Sequence, residues 1–158
     1  MKIFYFTDDR SKYGQGNYYL DYMDGFLKVA DEMTISDNIS EVDGSYDLLV
    51  IGHGGQDVLL RSMQIPKVKV TTIILSKNDY KSMKAKKRMA RKLNACLVVT
   101  NHKSAVKVLK DRFYKTIWLP FCSCERFSNY NKTRSLDVGF RANKNTQWNS
   151  GVRDCFFL

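Results

Sequence analysis

No run of apolar residues in this chain reaches the length of a membrane-spanning helix. The longest runs, at Tyr46–Gly52 and Thr72–Leu75, have the length of buried strands. A secretory signal is missing as well: Met1–Thr7 reads as a short strand, followed by Asp8, Asp9 and Arg10 with no small-residue cleavage site. Neither an internal repeat nor a low-complexity block interrupts the chain, which argues against solenoid and disordered classes. The four cysteines, Cys96, Cys122, Cys124 and Cys155, form no CxxC pair, so a closed zinc site is not indicated and no metal is expected. Cys96 lies within an apolar run, where a thiol packs as a small hydrophobe, and reduced thiols point to the cytoplasm. Acidic residues are absent between Asp79 and Asp111, while the net charge is +10. That imbalance implies attraction to something acidic: nucleic acid, anionic lipid or a phosphorylated substrate.

The 158 residues suit one domain with a real core. Lys2–Thr7 predicts a first strand, and a helical pattern then runs to about Met33, with Leu20, Met23, Leu27 and Ala30 on one face. Tyr46–Ile51 is almost continuously apolar, as in a strand covered on both sides. His53-Gly54-Gly55 breaks it, and Asp57–Met63 predicts a short helix. Val68–Ser76 reads as a further strand. Asn78–Leu93 predicts a basic helix with Asn78 as N-cap and Ala85, Met89 and Leu93 on its buried side. Ala95–Thr100, Lys103–Arg112 and Lys115–Leu119 then read as strand, helix and strand. This alternation implies an α/β domain of Rossmann-like, doubly wound type with a mostly parallel sheet.

The segment Asn94–Phe127 (NACLVVTNHKSAVKVLKDRFYKTIWLPFCSCERF) resembles the end of the N-terminal domain of GT-B glycosyltransferases. The similarity is to glycosyltransferase family 4 and its spore-coat-protein-like relatives, where "A-D-x-V-V-T-x-S" leads to a helix and then to "V-x-x-L-P-x-G-V-D-x-x-x-F". The resemblance implies one half of a GT-B fold: residues 1–127 as the acceptor-side domain, 128–135 as linker, and 136–158 as the start of a truncated second domain or a tail. It implies sugar transfer from a nucleotide-sugar donor to an acceptor, with no cofactor beyond that substrate. The donor-binding half would lie in another domain, so the isolated chain is expected to be inactive.

Within that resemblance the donor/acceptor cleft would be lined by Gly14 and Gly16, Gly54, Phe121, Cys122 and Cys124. Cys122 and Cys124 stand where the family has Gly and Asp, a departure that bears on catalytic geometry. Gly14-Gln15-Gly16 also reads as an anion-cradling turn or as a plain flexible turn, since it lacks the third glycine of a dinucleotide fingerprint. His53, at the carboxyl end of a strand, is the candidate catalytic residue; the competing role is a strand-end side chain satisfying loop carbonyls. His102 reads as a helix-start residue, with Asn101 the better N-cap.

Lys81, Lys84, Lys87, Arg88 and Arg91 are candidates for binding an anionic surface. An ordinary solvated face is the plain alternative. An anionic membrane is the partner weighed first, making the protein cytoplasmic and membrane-peripheral. Nucleic acid ranks behind it, because the helix carries only Tyr80 for stacking. A non-catalytic binding module docking through this helix is the alternative to the enzyme.

Overall fold

The computed structural model describes residues 1–8, 18–62, 65, 67–76 and 82–119, with side chains given for all of these except 18–21 and 62. All of them belong to one compact unit, Met1–Ser128. Gly14, Gly16, Asn78, Lys81, Phe121, Cys122 and Cys124, and the expected linker at 128–135, lie outside the described residues.

Six strands form one sheet: β1 (Lys2–Phe6), β2 (Glu32–Ser36), β3 (Leu48–Ile51), β4 (Thr71–Ser76), β5 (Ala95–Thr100) and β6 (Lys115–Trp118). Their spatial order is β2-β1-β3-β4-β5-β6, and every neighbouring pair is parallel. The helices are α1 (Tyr18–Val29), α2 (His53–Ser62), α3 (Met83–Lys92) and α4 (Lys103–Leu109). The expected α/β class with a parallel, Rossmann-like sheet is therefore present.

Two apolar layers sandwich the sheet, as the strand sequences require. In KIFYF, Phe4 and Phe6 join one cluster and Ile3 and Tyr5 the other; in LLVI, Leu49 and Ile51 oppose Leu48 and Val50 in the same way. Alternation along a strand sends successive side chains to opposite faces, so a central strand covered on both sides is apolar throughout. Leu59, Met89, Ala90, Leu93, Ala105 and Leu109 from α2, α3 and α4 cover the first face. Tyr22 and Met23, with Phe26 beside them, bring α1 onto the second. Right-handed crossovers explain the division: β1 moves outward to β2, whereas β3 to β6 step in the opposite direction.

Four expectations are corrected. The first helix stops at Val29, with the Ala30 N–H donating to the Phe26 carbonyl at 3.1 Å, and Met33 lies in β2 rather than in the helix. Glu32–Ser36 pairs residue for residue with Lys2–Phe6, and Met33 and Ile35 pack on the α1 side. Ladder pairing outweighs the helical spacing there. Leu27 is 43% exposed, because the buried stripe of α1 runs through Tyr22, Met23 and Phe26. Ala85 is only half-buried, while Lys86 is buried with Met83, Met89 and Ala90 on the inner side of α3. Finally, α4 is capped by His102, without a side-chain cap bond, rather than by Asn101.

The glycines separate packing from propensity. A Cβ at Gly55, in the first turn of α2, would overlap the Phe6 backbone carbonyl and ring, whereas one at Gly25, within α1, meets nothing within 4 Å. A backbone atom cannot swing aside as a flexible side chain can. Gly55→Ala should therefore cost about 1–3 kcal/mol, the range for forced overpacking. Gly25→Ala should stabilise by roughly 0.5–1 kcal/mol, because alanine removes the helical glycine's entropy loss. Denaturant unfolding of both variants checks the pair, and the signs must be opposite.

Candidate functional site

Parallel pairing gathers every strand-to-helix junction at one edge of the sheet. Between β1 and β3 the chain reverses its direction of travel across the sheet, so α1 and α2 leave on opposite faces. In open α/β sheets, ligands bind in the crevice such a switch creates. Phe6 pairs with Ile51 in register, and beyond them the Gly52 N–H donates to the Phe6 carbonyl at 2.8 Å. The Thr7 N–H donates to the Ser36 carbonyl at 3.0 Å. These bonds fix the carboxyl ends of β2, β1 and β3 side by side.

His53 was expected in a break after the strand; it is instead the first residue of α2, and the Gln56 N–H already returns to the Gly52 carbonyl at 2.9 Å. The two glycines that suggest a break serve close packing, since Gly54 and Gly55 are both buried and Gly55 sits against Phe6. His53 is 3% exposed, its ring 5.3 Å from that of Tyr22 at 45°. The Tyr22 hydroxyl in turn donates to the Leu119 carbonyl at 3.3 Å, and the Leu119 N–H donates to the Thr100 carbonyl at 2.9 Å. This chain of contacts ties the carboxyl ends of β3, β5 and β6 together. The opening N–H groups of α2 have no acceptor within the helix and carry the positive end of its dipole. The switch point thus places an imidazole in the first turn of a helix, whose positive end is suited to negative charge or hydroxyl oxygens.

Further along the same edge, Asn101 is 8% exposed and neither atom of its carboxamide has a hydrogen-bond partner. The Asn101 backbone carbonyl accepts from the Trp118 Nε1 at 3.3 Å. The bend after β5 turns this side chain inward, which is why it does not cap α4.

The cationic candidates collect elsewhere. Lys84, Lys87, Arg88, Arg91 and Lys92 line a surface hollow of about 470 Å³ on α3. Arg91 donates from Nε and Nη2 to Asp111 Oδ2 at 3.1 and 2.7 Å. Adjoining it, Ala90, Arg91, Asn94, Ala95 and Phe113 line a second hollow of about 140 Å³. Phe113, absent from the sequence-derived candidates, is 58% exposed, with the Arg91 and Arg112 guanidinium carbons 5.2 and 4.8 Å from its ring centroid. The larger hollow runs along α3, and the smaller involves Asn94 and Phe113, which precede β5 and β6 and so sit at the amino edge.

Among the described residues no cluster of three or more His, Cys, Asp or Glu side chains is placed to hold a metal, and no helix is long and apolar enough to cross a membrane. No family model, curated protein or solved structure matches the chain.

Two titrations report on the amino edge. The hydrogen bond from Arg91 holds the Asp111 carboxyl below the usual carboxylate range, with the Phe113 N–H adding to it. Burial pushes the Tyr114 phenol up to about 12, and Asp111 pushes in the same direction. The Tyr114 hydroxyl donates to the Leu109 carbonyl at 3.0 Å. The depressed carboxyl stabilises the fold above its unfolded pKa of about 3.9, and that contribution is lost as pH falls through the lower folded value. The raised phenol contributes below its unfolded pKa of about 10, and that contribution is lost as pH rises toward the folded value. Denaturant unfolding across pH should therefore show an acid loss that Asp111→Asn flattens and an alkaline loss that Tyr114→Phe flattens.

Proposed function

We propose that this chain acts as the acceptor-side half of a GT-B-type glycosyltransferase, taking part in sugar transfer from a nucleotide-sugar donor. The observation that supports this reading most is the placement of His53 at the first turn of α2, beside the switch point between β1 and β3. In this mechanism the imidazole hydrogen-bonds a hydroxyl of the sugar or acceptor. The start of α2, with the positive end of its dipole, lies on the side where charge develops on the departing diphosphate, and preorganised dipoles of this kind lower the barrier electrostatically. A donor-binding domain supplies the nucleotide contacts, and the protein works in the cytoplasm, peripheral to its acceptor. No cofactor is needed beyond the donor substrate.

A second reading has its own support. The five-cation hollow on α3 suits a binding module that docks on an anionic partner without catalysis.

Backbone-amide NMR with a panel of nucleotide sugars tests the first reading. Binding to this chain alone should be no tighter than roughly millimolar, about −4 kcal/mol, because the nucleotide contacts belong to the other half. Shifts should gather at Phe6–Asp8 and Gly52–Gln56, and His53→Ala should remove them. A micromolar constant, or shifts confined to α3, would contradict the proposal.

A further inference from the structure

The two hollows are neighbours: Arg91 lines both, so a ligand spanning Arg91 would reach each of them. The larger is walled by five cations at the spacing i, i+3, i+4, i+7, i+8 along α3. Such spacing sets a single stripe whose cations recur once per turn, about 5.4 Å. Among the described residues Lys84, Lys87, Arg88 and Lys92 make no ion pair, so their charge is available to a ligand; Arg91 is engaged by Asp111, whose side chain is 2% exposed and shielded. The smaller hollow has a different chemistry. Ala90 and Ala95 give apolar walls, Phe113 an exposed ring, and Asn94 an exposed carboxamide that both donates and accepts. Asn94 is held with φ at 50°, the left-handed turn that ends α3 and brings it to the start of β5.

We infer that this surface binds single-stranded nucleic acid: the stripe on α3 follows the phosphates, and an unpaired base enters the hollow beside Phe113. A cationic groove with an adjoining stacking group is the arrangement by which single strands are held without a dedicated sequence motif. Phe113 lies with two guanidinium groups over its ring, and guanidinium planes and aromatic rings both stack on bases. Asn94 supplies the hydrogen bonds that a base edge requires. A duplex keeps its bases stacked inside and cannot fill the smaller hollow. A lipid surface fits less well, because the cations wall a concavity and the one apolar ring there is capped by charge. None of its residues belongs to the switch point around His53, so the site is independent of sugar transfer.

Fluorescence polarisation of the whole chain tests this with labelled single-stranded RNA and DNA, the matching duplexes, and ATP as a lone nucleotide. Sedimentation with phosphatidylserine-containing vesicles at equal ionic strength gives the lipid arm. The single strand should bind most tightly, and log affinity should fall against log salt with a slope near −3, four cations at about −0.7 each. Lys84→Ala, Lys87→Ala and Arg88→Ala together should reduce that slope by about 2. Phe113→Ala should weaken single-strand binding about ten-fold with the slope unchanged, since stacking is lost and the phosphate contacts are kept. Phe113 is exposed, so that variant folds normally and its melting temperature serves as the control. Amide shifts should fall on residues 84–95 and 111–113 and leave the carboxyl edge unmoved. Equal binding of duplex, lone nucleotide or vesicles, an unaffected Phe113→Ala variant, or no binding at low salt would each overturn the inference.

Discussion

The handedness of the crossovers governs this molecule. Parallel strands joined through right-handed connections must place successive helices on one face, and they change face only when the chain turns back across the sheet. Among the described elements it turns once, at β1, leaving α1 on one side with α2, α3 and α4 on the other. The reversal places β1 and β3 at the centre of the sheet, with His53 at the switch point between them. The residues before β5 and β6, Asn94 and Phe113 among them, lie at the far edge. One topological constraint therefore separates two regions of different chemistry.

That separation bears on how the net charge is used. The cations of α3 form one stripe along the helix, and Asp111, beside its last turn, is spent on Arg91. The Arg91–Asp111 pair acts as a positional anchor: it joins the end of α3 to the turn before β6 and holds Phe113 beside Arg91. At the carboxyl edge the described polar groups His53, Gln56, Thr100 and Asn101 are instead buried. The proposed transfer chemistry and the proposed strand binding draw on these different environments.

Much of the sheet was legible in the sequence, since a strand buried on both faces must be apolar without interruption. Lys2–Thr7, Tyr46–Ile51 and Ala95–Thr100 all announce themselves that way, the last with its observed ends. β2 was hidden because EMTIS offers only two apolar residues, and Met33 also fits the spacing of the preceding helix. Its alternation of Met33 and Ile35 with polar neighbours was the available signal. The start of α2 was misread for a different reason: two glycines disfavour a helix by propensity, but here they let it press against Phe6. Lys86 shows that charge alone does not mark an exposed face. Phe113 was invisible as a site residue, because an aromatic before a strand ordinarily belongs to the core and only the turn at Asp111 directs it outward. The parts of the cleft formed by Gly14, Gly16, Phe121, Cys122 and Cys124 rest on sequence resemblance alone.

Native-state amide hydrogen exchange in the free protein tests the arrangement on which both regions depend. If β1 and β3 form the buried centre of the sheet on either side of the reversal, the amides of Phe4–Phe6 and Leu49–Gly52 should exchange only through global unfolding, the Gly52 amide included because it bonds the Phe6 carbonyl. The edge strands β2 and β6 should exchange faster by local opening. Exchange in β1 and β3 as fast as in β2 and β6 would contradict the account.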